Sequence, residues 1–226
     1  MSGGKAILIV WTDIPAEEED AFNEWYNREH VRSRVVDLPG FTKGRRFVAI
    51  TGGPKYVALY DVEDISVFRS EPYLALVARP DAKSQHFIPK FHNVIRMASD
   101  VTASAGDAEG GILGLQALAP IEGCEDRLLA GVSDHLIPAL VARPGIIAAH
   151  LWNVNAAILE ESVSRHMRSG DRVFEWLLAI EGASQEEVIV GHDELMDDAT
   201  LDQHGIVLTS DFAVCRLTYR VEGKKE

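Results

Sequence analysis

Cysteine is scarce in this chain. Cys124 and Cys215 are the two in 226 residues, and they lie too far apart to match a metal-ligand spacing. The expectation is two reduced, structural thiols in a cytoplasmic setting. Positive charge is scarce too: 22 Lys and Arg stand against 35 Asp and Glu, for a net charge of −13. The one basic run is the terminal pair Lys224-Lys225. Such a balance argues against nucleic acid or anionic membrane as a partner. No apolar run approaches the roughly 20 residues that a membrane-spanning helix needs. MSGGKAILIV lacks the charged n-region and the longer apolar run of a signal peptide. Ser-His-Asp and Cys-His arrangements, a phosphate-binding glycine loop and a dinucleotide fingerprint are all missing, and Gly52-Gly53 reads as a turn. His86 and His92 form a His-x5-His pair with nothing nearby to complete a ligand set. Neither a metal nor a cofactor is called for.

What the chain does have is a repeat. Pro15 and Pro120, His30 and His135, and Pro39-Gly40 and Pro144-Gly145 are each separated by an offset of 105. A period of this length points to two copies of a small domain rather than to a solenoid, whose repeats run roughly 20 to 50 residues. In the first copy AILIVWT reads as a strand buried on both faces. An acidic EEED then opens a helix, and Leu38-Pro39-Gly40 stops it. A hairpin follows from Phe41 to Val62, then a helix over about 65–76 and a strand over about 93–101. The second copy predicts strands at 112–118, 146–154, 173–181 and about 212–219, with helices at about 125–141 and 185–195. The order βαββαβ is that of a ferredoxin-like unit.

The fold class expected is therefore α+β, with units 1–103 and 111–226 joined by a linker at 104–110. Matching Val62-Glu63 to Ile180-Glu181 leaves a helical insertion near 155–171. One such sheet has helices on one face only, yet its strands are apolar throughout. Pairing the two sheets buries the second face and makes a pseudo-twofold eight-stranded α/β barrel, a pseudo-dimer in one chain. Further homo-oligomerisation is left open.

The stretch FNEWYNREHVRSRVVDLPGFTKGRRF, residues 22–47, resembles the dimeric α/β-barrel proteins related to the EthD family, as do KYVALYDVED (55–64) and FRSEPYLAL (68–76). The matching positions are Phe22, Trp25, Tyr26, Glu29, His30, Pro39, Gly40 and Phe41. The resemblance implies the barrel fold and a small-molecule ligand. It does not imply one reaction, because the superfamily spans lyases, isomerases, decarboxylases, cofactor-free monooxygenases and haem proteins.

Phe22, Tyr26 and His30 fall on one helical stripe, which puts His30 toward the sheet, where imidazole suits proton transfer. Glu29 is its neighbour in sequence, though adjacent helix residues diverge by about 100°. His135 takes the same place on the second stripe, on which Leu128 and Val132 replace the aromatic set. Arg45 and Arg46 alternate on a strand, so one faces inward and could hold an oxyanion. Tyr60 and Asp61 share that ambiguity. Trp11, Trp25, Tyr26 and Phe47 either line an aromatic pocket or pack helix to sheet. The expectation is a pocket in the barrel of the first unit, with His30, Glu29, Arg46, Tyr60 and Asp61 catalytic. Trp11, Trp25, Tyr26, Phe47 and His135 would contact the substrate. The favoured chemistry is cofactor-independent proton transfer next to a carbonyl, of isomerase, dehydratase or lyase type. A non-catalytic ligand-binding protein is the rival reading; haem binding and cofactor-free oxygenation stand further back.

Overall fold

Continuous apolarity in AILIVWTD produces strand β1, Ala6–Asp13, whose alternate residues enter two different cores. Ile7, Ile9 and Trp11 face one way, while Ala6 and Leu8 face the other. The computed structural model describes residues 5–161 and 171–224. After β1, a rod forms from α1 (Glu19–Trp25), a π turn (Tyr26–His30) and α2 (Val31–Val35) without leaving helical backbone angles. Gly40 ends the connection at φ +80°, and a Cβ there would come within 2.6 Å of Val67. Strands β2 (Phe41–Thr51) and β3 (Tyr56–Val62) make the expected hairpin. The helix expected over about 65–76 is a 3₁₀ turn (Ile65–Arg69) followed by α3 (Glu71–Ala78); Pro80 excludes helical geometry from the residue before it, and α4 (Ala82–Phe87) follows as an unexpected helix. Strand β4 runs from His92 to Ala105, so Ser104 and Ala105 of the expected linker belong to a strand.

The second half repeats the order with β5 (Ile112–Pro120), α5 (Glu125–Ala130), a π turn (Gly131–Leu136) and α6 (Ile137–Val141). Then come β6 (Ile146–Val154), α7 (Ala156–Glu161), β7 (Trp176–Gly182) and α8 (Gln185–Leu195). Helix α9 (Asp198–His204) and the short strand β8 (Ile206–Leu208) were not expected, and β9 (Ala213–Glu222) follows. Helix α7 occupies the start of the expected insertion, and residues 162–170 lie outside the described residues.

Eight strands close into an antiparallel ring in the order β7-β6-β4-β1-β3-β2-β9-β5, with β5 returning to β7 and β8 flanking β5. The two ferredoxin-like units meet along β4–β6 and β2–β9. This is the pseudo-twofold dimeric α/β barrel. Three cores result: the barrel interior, fed by both halves, and one helix layer outside each sheet.

Strand pairing corrects the alignment of the halves. Asp61 lies opposite Ile7, and Glu181 lies opposite Leu113, so these two carboxylates are the equivalent positions. In the same frame Arg45 corresponds to His150 and Arg46 to Leu151. Matching Val62-Glu63 with Ile180-Glu181 was therefore two residues out of step.

Candidate functional site

The helical rod of the first half lays Phe22, Trp25, Tyr26 and His30 against the outer face of its sheet, all buried. Between that rod, α3, the turn after α4 and strands β1, β3 and β4 lies a cleft of about 700 Å³, counting its mouth. Its walls are aliphatic and aromatic, among them Leu8, Val10, Val77 and Phe91. Its polar groups are Tyr26, His30, Arg34, Tyr60, Tyr73 and Arg96.

His30 is 7% exposed, and its Nδ1 has no hydrogen-bond partner. Its ring is packed between those of Trp25 (4.4 Å between centroids) and Tyr26 (4.6 Å). Burial, then the charges of Arg34 and Arg46, push its pKa well below 6.5, so the imidazole is neutral at neutral pH. The Tyr60 hydroxyl donates to that of Tyr26 at 3.2 Å. Burial, with Tyr26 beside it, drives the Tyr60 pKa well above 10 and keeps this hydroxyl protonated. The π turn from Tyr26 to His30 places an i→i+5 widening at the residues that line the cleft, as such turns often do at functional sites.

Not every expected residue reaches this cleft. Arg46 lies behind it, its guanidinium 4.2 Å from the Tyr26 ring centroid and hydrogen-bonded to Asn27 (2.6 Å) and Asn23 (3.0 Å). It therefore braces Tyr26 and does not line the cleft. Glu29 points outward and pairs with Lys83. Trp25 stacks on Phe87 behind His30, with centroids 4.8 Å apart. Trp11 and Phe47 fill the barrel interior, where Trp11 Nε1 donates to the Pro54 carbonyl at 2.6 Å. The expected pocket in the barrel is corrected accordingly: Ile9, Trp11, Phe47, Leu59, Trp152 and Leu177 pack the interior, and the cleft opens on the opposite face of the sheet.

Asp61 and Arg45 lie at one end of the barrel in a cluster of charges. Arg45 bridges Glu181 at 2.7 Å and approaches Asp61 at 3.5 Å, and His150 lies 3.5 Å from Glu181. Burial opposes ionisation of Glu181, but His150 and Arg45 outweigh it and hold that carboxyl at about 2. For Asp61 burial prevails over Arg45 and raises the pKa. The cluster joins the two halves to the linker, since the Gly110 amide donates to Glu181 at 2.9 Å and Lys43 pairs with Glu109.

His135 is exposed and stacks on His204, with centroids 5.4 Å apart. The burial pattern explains this. Phe22, Trp25, Tyr26 and His30 match Leu128, Gly131, Val132 and Leu136, one residue beyond the 105 offset. His135 thus takes the outward place of Glu29, and Leu136 takes that of His30.

Sequence reasoning missed Arg34, Tyr73 and Arg96. Arg34 carried a signal, being four residues beyond His30 on the same rod. Tyr73 and Arg96, joined by a 3.0 Å hydrogen bond, come from α3 and β4 and meet only through the tertiary fold. A second cavity of about 510 Å³ adjoins the cleft at Tyr73, Val77 and Arg96. Its far wall includes Ile158 and Glu161 of α7, so the second half helps enclose the first half's site.

Among the described residues no group of three or more His, Cys, Asp or Glu is placed to hold a metal. His86 is exposed beside Glu18 and Lys90, and His92 contacts the Lys90 carbonyl. No described helix is long and apolar enough to cross a membrane.

No family model matches the chain, and no curated protein is similar to it in sequence. Solved structures are similar in fold. An anthrone oxidase-like protein superimposes with a TM-score of 0.68 at 11% identity, over 96% of this chain and 92% of that one. A Fusobacterium nucleatum protein proposed to be a monooxygenase gives 0.65 at 9%, over 98% and 96%. A haem-binding protein from Thermus thermophilus gives 0.55 at 12%, over 95% and 91%. At these identities the likeness is one of fold, and the fold is the dimeric α/β barrel.

Proposed function

We propose that the chain is an enzyme that moves a proton next to a carbonyl in a small, largely apolar or aromatic molecule, without a cofactor. The observation that carries this reading is a neutral, buried imidazole in an aromatic cleft beside Tyr26 and the protonated Tyr60 hydroxyl bonded to it. His30 takes the proton from carbon. The Tyr26 hydroxyl, whose acceptor site is filled by Tyr60, donates to the oxygen that becomes negative. Return of the proton to a neighbouring carbon gives an isomerase. Expulsion of a leaving group gives a lyase or dehydratase. Arg46 serves by holding Tyr26 in place. On the same reading the chain is an EthD-related internal duplication with units 1–103 and 111–226, and the cleft of the first unit is the working one.

The test is His30→Gln with a panel of aromatic and alicyclic carbonyl compounds. Turnover is expected to fall by about 10²- to 10⁴-fold, with the melting temperature within a few degrees of wild type. A wild-type protein that binds such compounds, seen as quenching of tryptophan fluorescence, yet turns none of them over would favour the ligand-binding reading. Cofactor-free oxygenation is a second reading, favoured by the names of the structural neighbours and by the aliphatic and aromatic walls of the cleft. It begins with the same deprotonation, and oxygen consumption matched to substrate loss would distinguish it.

A further inference from the structure

We infer that the molecule bound in this cleft is an anion, an aromatic acid or ionised enol, and that Arg34 receives its charge. The inference rests on the cleft being the binding site but not on any turnover there. The chain carries 35 acidic residues and a net charge of −13, yet among the described residues no Asp or Glu lines the cleft. Arg34 does line it, half-buried, one turn beyond His30.

The contrast with other arginines is informative. Arg28 is paired with Glu24, Arg45 with Glu181, Arg69 with Glu161, Arg143 with Glu194 and Arg220 with Glu109. Arg34 Nη1 donates instead to two neutral oxygens, the His30 carbonyl and the Ser33 hydroxyl, both at 2.9 Å. Those bonds fix the guanidinium on the rod while leaving its charge uncompensated by any carboxylate among the described contacts. A planar cation with its remaining donors beside an apolar cavity matches a carboxylate or enolate at the edge of a flat ring. Water is partly excluded there, so the attraction is worth more than on the open surface. The aromatic walls, Tyr26, Tyr73 and Phe91, supply faces for the ring itself. An anion anchored at Arg34 lies one helical turn from the imidazole, which orients the reacting carbon toward His30.

The probes are 2-naphthoate and its neutral counterpart 2-acetylnaphthalene, with binding followed by tryptophan quenching or calorimetry. Wild type should bind the acid at least about tenfold more tightly than the ketone. Arg34→Gln should erase that preference by weakening naphthoate alone, and Arg34→Lys should restore part of it. Circular dichroism melts check that both variants fold. His30→Gln separates this claim from the catalytic one: it should keep the preference for the acid even where turnover is lost. Equal binding of the two probes by wild type, a preference that survives Arg34→Gln, or no binding of either probe would overturn the inference.

Discussion

The two helical rods of this barrel share length, a π turn and a buried stripe, but they differ at every residue that could do chemistry. Where the first half has Tyr26, His30, Arg46 and Tyr60, the second has Val132, Leu136, Leu151 and Ile180. The second helix layer is filled by Leu118, Leu128, Val132, Leu136, Leu178 and Ile180. One scaffold thus carries both solutions to covering a sheet, a cleft with polar groups on its walls and a layer filled mainly by aliphatic side chains. The halves remain alike at the barrel end, where each supplies a carboxylate and a basic side chain, and Arg45 meets both Asp61 and Glu181 while His150 meets Glu181. Similarity is kept where the halves touch, and divergence falls where each faces its own helices.

Breaking the shared charge cluster should have the largest effect. Glu181→Ala leaves Arg45, itself 4% exposed, without its best partner, and a lost partner in a buried pair costs about 3–5 kcal/mol. Urea unfolding measures it. The same carboxyl sets an acid dependence. Its folded pKa of about 2 lies below the ordinary 4.5, so its contribution is fully present above about pH 4.5 and is lost as pH falls toward 2. Stability curves over that window should flatten in Glu181→Gln. Next in size is a transplant: Leu136→His puts an imidazole into the apolar core of the second half. It should cost about 2–3 kcal/mol through an unpaired buried polar group, whereas the first half tolerates His30 beside its cleft. The smallest effect belongs to His135→Ala. An exposed residue away from the cleft should change stability by less than about 0.5 kcal/mol and leave turnover untouched. A loss of activity there would restore the symmetry that the burial pattern denies.

The barrel was legible because its signals are periodic and local. Apolar strands, an acidic helix start, Pro-Gly stops and the turn at Gly52-Gly53 all agree with the final pairing. The burial of Tyr26 and His30 was legible because their helical stripe set their direction, whereas strand alternation left Tyr60 and Asp61 open. The same alternation left Arg45 and Arg46 open, and only the pairing of β2 sends Arg45 to the barrel end and Arg46 beneath the rod. His135 misled because one offset was carried through a helix whose buried stripe sits one residue later than the flanking Pro-Gly. The side of the sheet that opens into a cleft was not legible at all. It depends on how well Trp11, Phe47 and Trp152 fill the barrel, which is a matter of packed volume.

The pairing of β2 with β9 has a consequence in time. Thr218 donates to the Arg46 carbonyl across 172 residues of sequence. A ribosome adding about 5–20 residues per second needs roughly 10–35 s to make that intervening length. Once β4 has been made the first half has its helices and hairpin but two unpaired sheet edges, β4 until β6 follows and β2 until β9 follows, each a template for strands of neighbouring chains. Slow translation between β2 and β9 should therefore lower the yield of this barrel more than the same delay before β2.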